Sequence, residues 1–216
     1  MEKLSVTLSR NRPYFTGYLI LLLSGLVLLL CTSKEQSFLM LNPYHGLLLD
    51  WFFIIYTNVG DGLFSVAIFL VLLYLRKPLA AWEIIFTFLL SGLVAQVLKN
   101  FFPMPRPKTL LEHSGYPYFL EGITHVGHAS FPSGHSASAF GLATILTLYS
   151  RDKRRGLLYL AAAAAVAYSR VYLGQHFLQD VLAGSCIGTI CALSGYFLIQ
   201  GQSSWFAKMK AADQSL

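Results

Sequence analysis

Charge is what this chain of 216 residues has least of. Asp, Glu, Lys and Arg make up 12% of it, while hydrophobic residues make up 55%. Soluble domains carry about a quarter charged residues, so a water-soluble globule is excluded and an integral membrane protein is expected. Cysteine is scarce as well. Cys31, Cys186 and Cys191 all fall in apolar runs, which excludes a disulfide framework and predicts buried free thiols. There is no internal repeat, no low-complexity tract and no polar stretch long enough for a separate soluble domain. A single membrane-embedded domain over 1–216 is expected.

Long uncharged runs take the place of charge. Residues 13–33 carry none, enough chain to cross about 30 Å of hydrocarbon. Leucines rather than small residues precede Cys31, so this run reads as an uncleaved first helix, 14–32, and not as a removable signal. Further spans are predicted at about 59–75, 79–101, 134–150, 156–172 and 177–199. The apolar segment "GLLLDWFFIIYTN" ahead of the second span contains Asp50 and Trp51 and is expected to lie at the interface. The fold class is thus all-α, with six transmembrane helices and both termini on one side.

The basic residues orient this bundle. With the termini in the cytoplasm, eleven basic residues fall inside, Lys208 and Lys210 of the tail among them. Lys34, Lys99, Arg106, Lys108 and Arg170 fall outside. The net charge of +6 is explained by this asymmetry, and no nucleic-acid partner is implied. Lys99, Arg106 and Arg170 sit at or near outer helix ends, where positive charge is otherwise avoided. Ionisable groups near membrane depth mark functional sites.

Topology then brings distant segments to one face. The third span ends outside at Lys99 and continues to Arg106. The fourth starts outside at Ser133, Gly134 and His135. The fifth ends outside at Arg170, and the sixth begins there with His176 and Asp180. Three cations and a helix N-terminus with free N–H groups form a phosphate cradle. Ser133 suits a helix cap and Gly134 lets backbone approach an oxyanion. His176 and Asp180, four apart, would share a helix face about 6 Å apart along the axis. The carboxylate would accept a hydrogen bond from one imidazole nitrogen and leave the other to attack. His135, from another helix, is the candidate acid for the leaving oxygen.

These stretches, "KNFFPMPRP" (99–107), "PSGH" (132–135) and "SRVYLGQHFLQD" (169–180), resemble the three-part signature of the type 2 phosphatidic acid phosphatase family at every fixed position. The resemblance implies an integral membrane lipid phosphatase acting on a phosphate monoester or pyrophosphate. Its substrate would be of the undecaprenyl pyrophosphate, phosphatidylglycerol phosphate, phosphatidic acid or lipid A class. It also implies a phosphohistidine on His176 assisted by Asp180, protonation of the leaving group by His135, and phosphate binding by Lys99, Arg106, Ser133, Gly134 and Arg170. The reaction would be metal-independent and use no cofactor. A bacterial inner membrane, with the site facing the periplasm or exterior, is the expected setting; the partners are the bilayer and its lipid, with no obligate protein partner. Transfer of the phosphoryl group to another lipid is an alternative. A lipid transporter is a further one, though transporters often show internal repeats.

Other features are read more plainly. His113, His125 and His128 share the outer loop 102–131; their loose spacing without cysteine reads as a polar loop and not a metal site. Tyr116, Tyr118 and Phe119 of that loop would suit a lid on lipid headgroups. Asp61 in "NVGDGLF" reads as a turn residue and Glu83 as interfacial. Gly184 and Gly188 form a small-xxx-small pair, which predicts close packing of two helices within the molecule.

Overall fold

The computed structural model describes residues 3–201. All regular structure among them is helical: α1 (Leu4–Arg10), α2 (Arg12–Cys31), α3 (Lys34–Leu41), α4 (Leu47–Tyr56), a 3-10 turn (Thr57–Gly60), α5 (Gly62–Tyr74), α6 (Pro78–Phe101), α7 (Pro107–Leu110), α8 (Gly134–Tyr149), α9 (Arg155–Tyr172) and α10 (Leu178–Gly201). Each predicted span corresponds to one of these helices, and most bounds agree within two or three residues. The basic tail, with Lys208 and Lys210, lies outside the described residues.

Three helices, α2, α6 and α10, are long and apolar enough to cross a membrane, and a bent pair raises the number to four. That pair is α4 with α5, which meet at 58° across the 3-10 turn. The segment expected to lie flat is therefore one arm of a broken helix. It faces inward at Phe53, whose ring lies 4.6 Å from that of Tyr172 on α9.

Helix α8 falls short of that measure for a physical reason. Helix α8 has 16 residues, or about 24 Å of rise. It packs against α6, α9 and α10, and twelve of its residues are buried. A helix walled in by protein has no need of a lipid-facing surface, and its sequence, "GHSASAFGLATILTLY", is small and hydroxylated instead. The hydroxyls satisfy themselves locally. Thr144 and Thr147 donate to the carbonyls of Phe140 and Ala143, and Tyr14 of α2 bonds Thr144 at 2.9 Å.

Gly184 and Gly188 of α10 make the close approach predicted for them. A Cβ at Gly184 would run into the carbonyl oxygen of Ser133, and one at Gly188 into that of Ala137. Backbone meets backbone here, so no rotamer change could relieve an added carbon. One expectation is corrected. Cys31 is exposed at the end of α2 and Cys186 is half-buried, leaving Cys191 as the buried thiol; an apolar run facing lipid needs no protein cover. Glu83, near the start of α6, is wholly buried against its neighbours, with Gln200 of α10 donating to it at 3.3 Å.

Gly188→Val should lower stability in detergent by about 1–3 kcal/mol, the usual cost of overpacking. Gly92→Ala, where an added carbon meets nothing within 4 Å, should leave it unchanged or slightly raised. Paired thermal-unfolding curves check both.

Candidate active site

The stretch from Ser169 to Asp180 is built from a helix end, a turn and a helix start. Helix α9 stops because Gly174 takes a left-handed conformation, φ 63°, which glycine adopts without penalty. Its N–H bonds the carbonyl of Val171 at 2.9 Å, and the Gln175 N–H bonds that of Arg170 at 2.9 Å. This pair of bonds is the Schellman arrangement that ends helices. The His176 N–H also reaches the Arg170 carbonyl, at 3.2 Å. The residues between Arg170 and His176 are thus the length of chain needed to close one helix and reverse toward the next. A side chain at Gly174 would also press on Phe119 and Thr124 at 3.0 Å.

His176 and Asp180 do not share a helix face, as their spacing predicts, because α10 begins only at Leu178. Asp180 instead reaches back from the first turn: its Oδ2 accepts from the Phe177 N–H at 2.9 Å, half of a capping box. The same oxygen accepts from Ser130 Oγ at 2.6 Å. His176 Nδ1 lies 3.7 Å from it, beyond hydrogen-bond length but within ion-pair reach. Two other donors have taken that oxygen. Both side chains are buried, and His176 Nδ1 and Asp180 Oδ1 are without hydrogen-bond partners. Burial pushes the His176 imidazole down to about 4, with Arg170 and Arg106 adding to the effect and Asp180 opposing it.

Helix α8 starts against this turn. The Ser133 N–H donates to the Asp180 carbonyl at 2.9 Å, and Ser133 Oγ caps the helix by accepting from the Ser136 N–H at 3.3 Å and from Ser136 Oγ at 3.0 Å. Ser133 is therefore committed to joining α8 to α10. Gly134 is different. A Cβ there would meet nothing within 4 Å, so the first turn of α8 opens onto space beside it. His135 follows, partly buried.

The three cations converge as their topology predicts. Arg106 is fixed by Gln175, its Nη1 donating to the side-chain oxygen at 2.8 Å and to the carbonyl at 3.0 Å. Gln175 is anchored in turn on the carbonyl of Ile123. Arg170 Nη1 donates to Thr57 Oγ1 in the 3-10 turn at 2.9 Å, while its Nε is buried without a partner. Lys99, at the end of α6, feels the charges of Arg106, Arg170 and Asp180. Like charges held this close repel unless an anion sits among them.

Ser130 and Gln175 escaped the sequence reading, and Lys34 and Asp61 were not assigned to the site by it. Ser130 and Gln175 hold Asp180 and Arg106, yet each is one more polar residue beside a motif. Lys34, the first residue of α3, lies 4.1 Å over the Phe177 ring; burial lowers its pKa, and Asp180 opposes this. Asp61 caps α5, accepting from the Leu63 N–H at 2.9 Å, and its charge reaches His135 and Arg170. The aromatic loop is held down and does not form a free lid. Tyr116 and Phe119 pack on Phe38 at 5.5 and 6.4 Å. Tyr118 stacks on His45, which also stacks on Tyr172. His113, His125 and His128 are exposed, and among the described residues no three His, Cys, Asp or Glu are grouped as metal ligands.

Comparison with known proteins matches residues 80–203 to the PAP2 superfamily. The lipid A 4'-phosphatase of Porphyromonas gingivalis is 31% identical over 187 residues, covering 80% of this chain and 75% of that protein. The crystal structure of Aquifex aeolicus LpxE superposes with a TM-score of 0.67 at 31% identity, covering 75% of this chain and 93% of that one. A PAP2-type phosphatidylglycerolphosphate phosphatase from Bacillus subtilis shares the fold, with a TM-score of 0.65 at 22% identity over 90% of this chain and 98% of that one. Helix order, the converging cations and these matches agree: the chain belongs to the PAP2 superfamily, among its membrane lipid phosphatases.

Proposed function

We propose that this protein removes a phosphate group from a membrane lipid through a covalent intermediate on His176, at the outer face of a six-span bundle with cytoplasmic termini. The observation that carries this reading is the cluster itself. Lys99, Arg106 and Arg170 crowd together around a buried histidine whose Nδ1 faces Asp180. Such an arrangement costs electrostatic energy until an anion arrives, and a phosphoryl group in transfer spreads negative charge over oxygens that such cations would meet. Arg170 Nε, His176 Nδ1 and Asp180 Oδ1 are buried without hydrogen-bond partners and so are free to take part in that rearrangement.

The steps follow from the positions. With Nδ1 turned to Asp180, Nε2 of neutral His176 bonds to phosphorus as the bond from phosphorus to the lipid oxygen breaks. That oxygen takes the proton of His135. Water then bonds to phosphorus, the phosphorus–nitrogen bond breaks, and the water's proton returns to His135. Lys99, Arg106, Arg170 and the first N–H groups of α8 beside Gly134 hold the phosphate oxygens throughout, and Ser133 keeps that turn in place. Side-chain cations supply the charge that Mg²⁺ supplies in many phosphoryl-transfer sites, so no metal enters any step.

The six-span topology rests on the match of each predicted span to a helix and on the excess of basic residues at the inner ends. It places the active-site turn at the outer headgroup level, toward the periplasm or exterior. A phosphorylated lipid of the lipid A class heads the candidate substrates, since the Porphyromonas gingivalis relative with that name aligns over most of both chains. Phosphatidylglycerol phosphate, phosphatidic acid and undecaprenyl pyrophosphate complete the panel.

Purified protein with EDTA should release phosphate from at least one lipid of this panel, and His176→Ala should lower the rate at least about a thousandfold. Full phosphate release by His176→Ala would sink the covalent reading, no release from any lipid by the wild type would favour a binding or transport role, and label passing to a second lipid would make the enzyme a phosphotransferase. Ser130→Ala, which frees Asp180 of one donor, should reduce kcat by roughly tenfold with little change in KM. The pH profile carries a signature. Attack needs neutral His176, and with its pKa pushed down to about 4 that form prevails from about pH 5 upward. The acid limb of kcat/KM should therefore lie near pH 4 and not near 6.5.

A further inference from the structure

The loop between α7 and α8 touches the active-site turn, and its own footing lies in a part of the chain well ahead of the three motifs. Asn42, buried just past the end of α3, donates from Nδ2 to the carbonyls of Val171 and Tyr172 at 3.0 and 3.2 Å. Its side-chain oxygen lies 3.0 Å from Nε2 of His45, whose Nδ1 lies 3.2 Å from Asp50 Oδ1 on α4. The Tyr172 hydroxyl donates to that same carboxylate oxygen at 2.6 Å. The His45 ring is stacked between Tyr118, 4.9 Å away, and Tyr172, 4.0 Å away, and its side chain is 4% exposed. Tyr116 closes the group by donating to the Asn42 carbonyl at 3.2 Å. One imidazole thus joins the α3–α4 connection, the loop and the end of α9, with both nitrogens and both faces engaged.

From that footing the loop reaches the turn at three consecutive residues. Thr124 Oγ1 donates to the Leu173 carbonyl at 3.0 Å. Phe119 lies against Gly174, where a Cβ would come within 3.0 Å of its ring. The Ile123 carbonyl accepts from Gln175 Nε2. This last contact decides what Gln175 offers to Arg106. An amide carries its donors on one end and its acceptor on the other. With its nitrogen held by Ile123, Gln175 turns its oxygen to Arg106 and accepts from Nη1 at 2.8 Å. Reversed, the amide would set donor against donor, since a guanidinium has no acceptor.

We propose that His45, with Tyr118 stacked on it, is a positioning residue for phosphate binding: it seats residues 116–124 so that Gln175 presents its oxygen to Arg106. The inference rests on the catalytic reading above, in which Arg106 meets a phosphate oxygen. His45 and Tyr118 act through Gln175 and Arg106, and neither is a catalytic residue. A merely structural role makes a different prediction. An imidazole that only fills the space between two tyrosines would matter for stability, and its loss would combine independently with a change at Gln175. A path through Gln175 makes the two changes overlap, because an Arg106 already released by Gln175→Ala has no further support of this kind to lose.

Full-length wild type, His45→Ala, Tyr118→Ala, Tyr118→Phe, Gln175→Ala, the double variant His45→Ala/Gln175→Ala and Arg106→Ala would be compared in detergent. Two quantities would be read: kcat/KM on dioctanoyl phosphatidic acid, and the Kd for inorganic phosphate by calorimetry. His45→Ala and Tyr118→Ala should each weaken both by about tenfold, as loss of a supporting residue does. Tyr118→Phe, which keeps the stacked ring, should stay within about twofold of wild type. The double variant should be no worse than Gln175→Ala alone, since changes along one path do not add. Losses that multiply in the double variant would overturn the inference. So would wild-type values in both His45→Ala and Tyr118→Ala, or in Gln175→Ala. Should His45→Ala fail to fold, Tyr118→Ala, alone and combined with Gln175→Ala, carries the test from a partly buried loop position. If wild type neither cleaves the probe nor binds phosphate, or if Arg106→Ala matches wild type, the catalytic reading itself fails and this inference with it.

Discussion

The backbone contact between α8 and α10 is the constraint on which the rest of the molecule depends. At Gly184 and Gly188 the two helices approach until carbonyl oxygens of one fill the space that side chains of the other would occupy. That closeness is what lets the Ser133 N–H bond the Asp180 carbonyl at 2.9 Å. The start of α8, with Gly134 and His135, is thereby locked to the start of α10, with Asp180 and the preceding His176. The two histidines come from segments some forty residues apart in sequence, and their relative placement is decided by two residues without side chains. A chemical site that must hold groups to within a fraction of an ångström is here referenced to the stiffest contact a pair of helices can make.

Around that contact the protein stores electrostatic cost. Buried polar groups elsewhere in α8 and α9 are satisfied by neighbouring carbonyls, as with Thr144, Thr147 and Ser169. At the site the pattern reverses. Arg170, His176 and Asp180 each keep a buried polar atom without a partner, and cations face cations. The supporting bonds explain how this persists. Gln175 grips Arg106, Thr57 grips Arg170, and Ser130 with the Phe177 N–H grips Asp180. The supports are neutral groups, so they fix the charges without neutralising them. On the proposed mechanism, that charge meets the phosphate.

What the sequence made legible, and what it hid, divides along physical lines. Helices were readable because an uncharged run bounded by charge or Pro and Gly leaves a strong local signal, and so each predicted span has its helix. The convergence of Lys99, Arg106, Gly134, His135, Arg170, His176 and Asp180 on one face followed from span parity alone. The relation of His176 to Asp180 did not. Their spacing fits a helix face, but Gly174 ends α9 late enough that His176 falls in the turn and Asp180 becomes the back-reaching residue of the next helix. The burial of Glu83 was not legible either, since it depends on the helices packed around it. Thr57, Ser130 and Gln175 were invisible for a simpler reason. A single polar residue that supports another side chain through a hydrogen bond has no periodicity or spacing of its own.

The claim at the centre of this account is that the buried imidazole of His176 bonds to phosphorus. Wild-type protein mixed with a lipid carrying labelled phosphate, quenched in base within milliseconds and digested for mass mapping, would reveal it. The account predicts transient phosphate on the peptide containing His176, stable to base and lost in acid. Label on a different residue, or a burst of released phosphate with none ever bound to the protein, would contradict it.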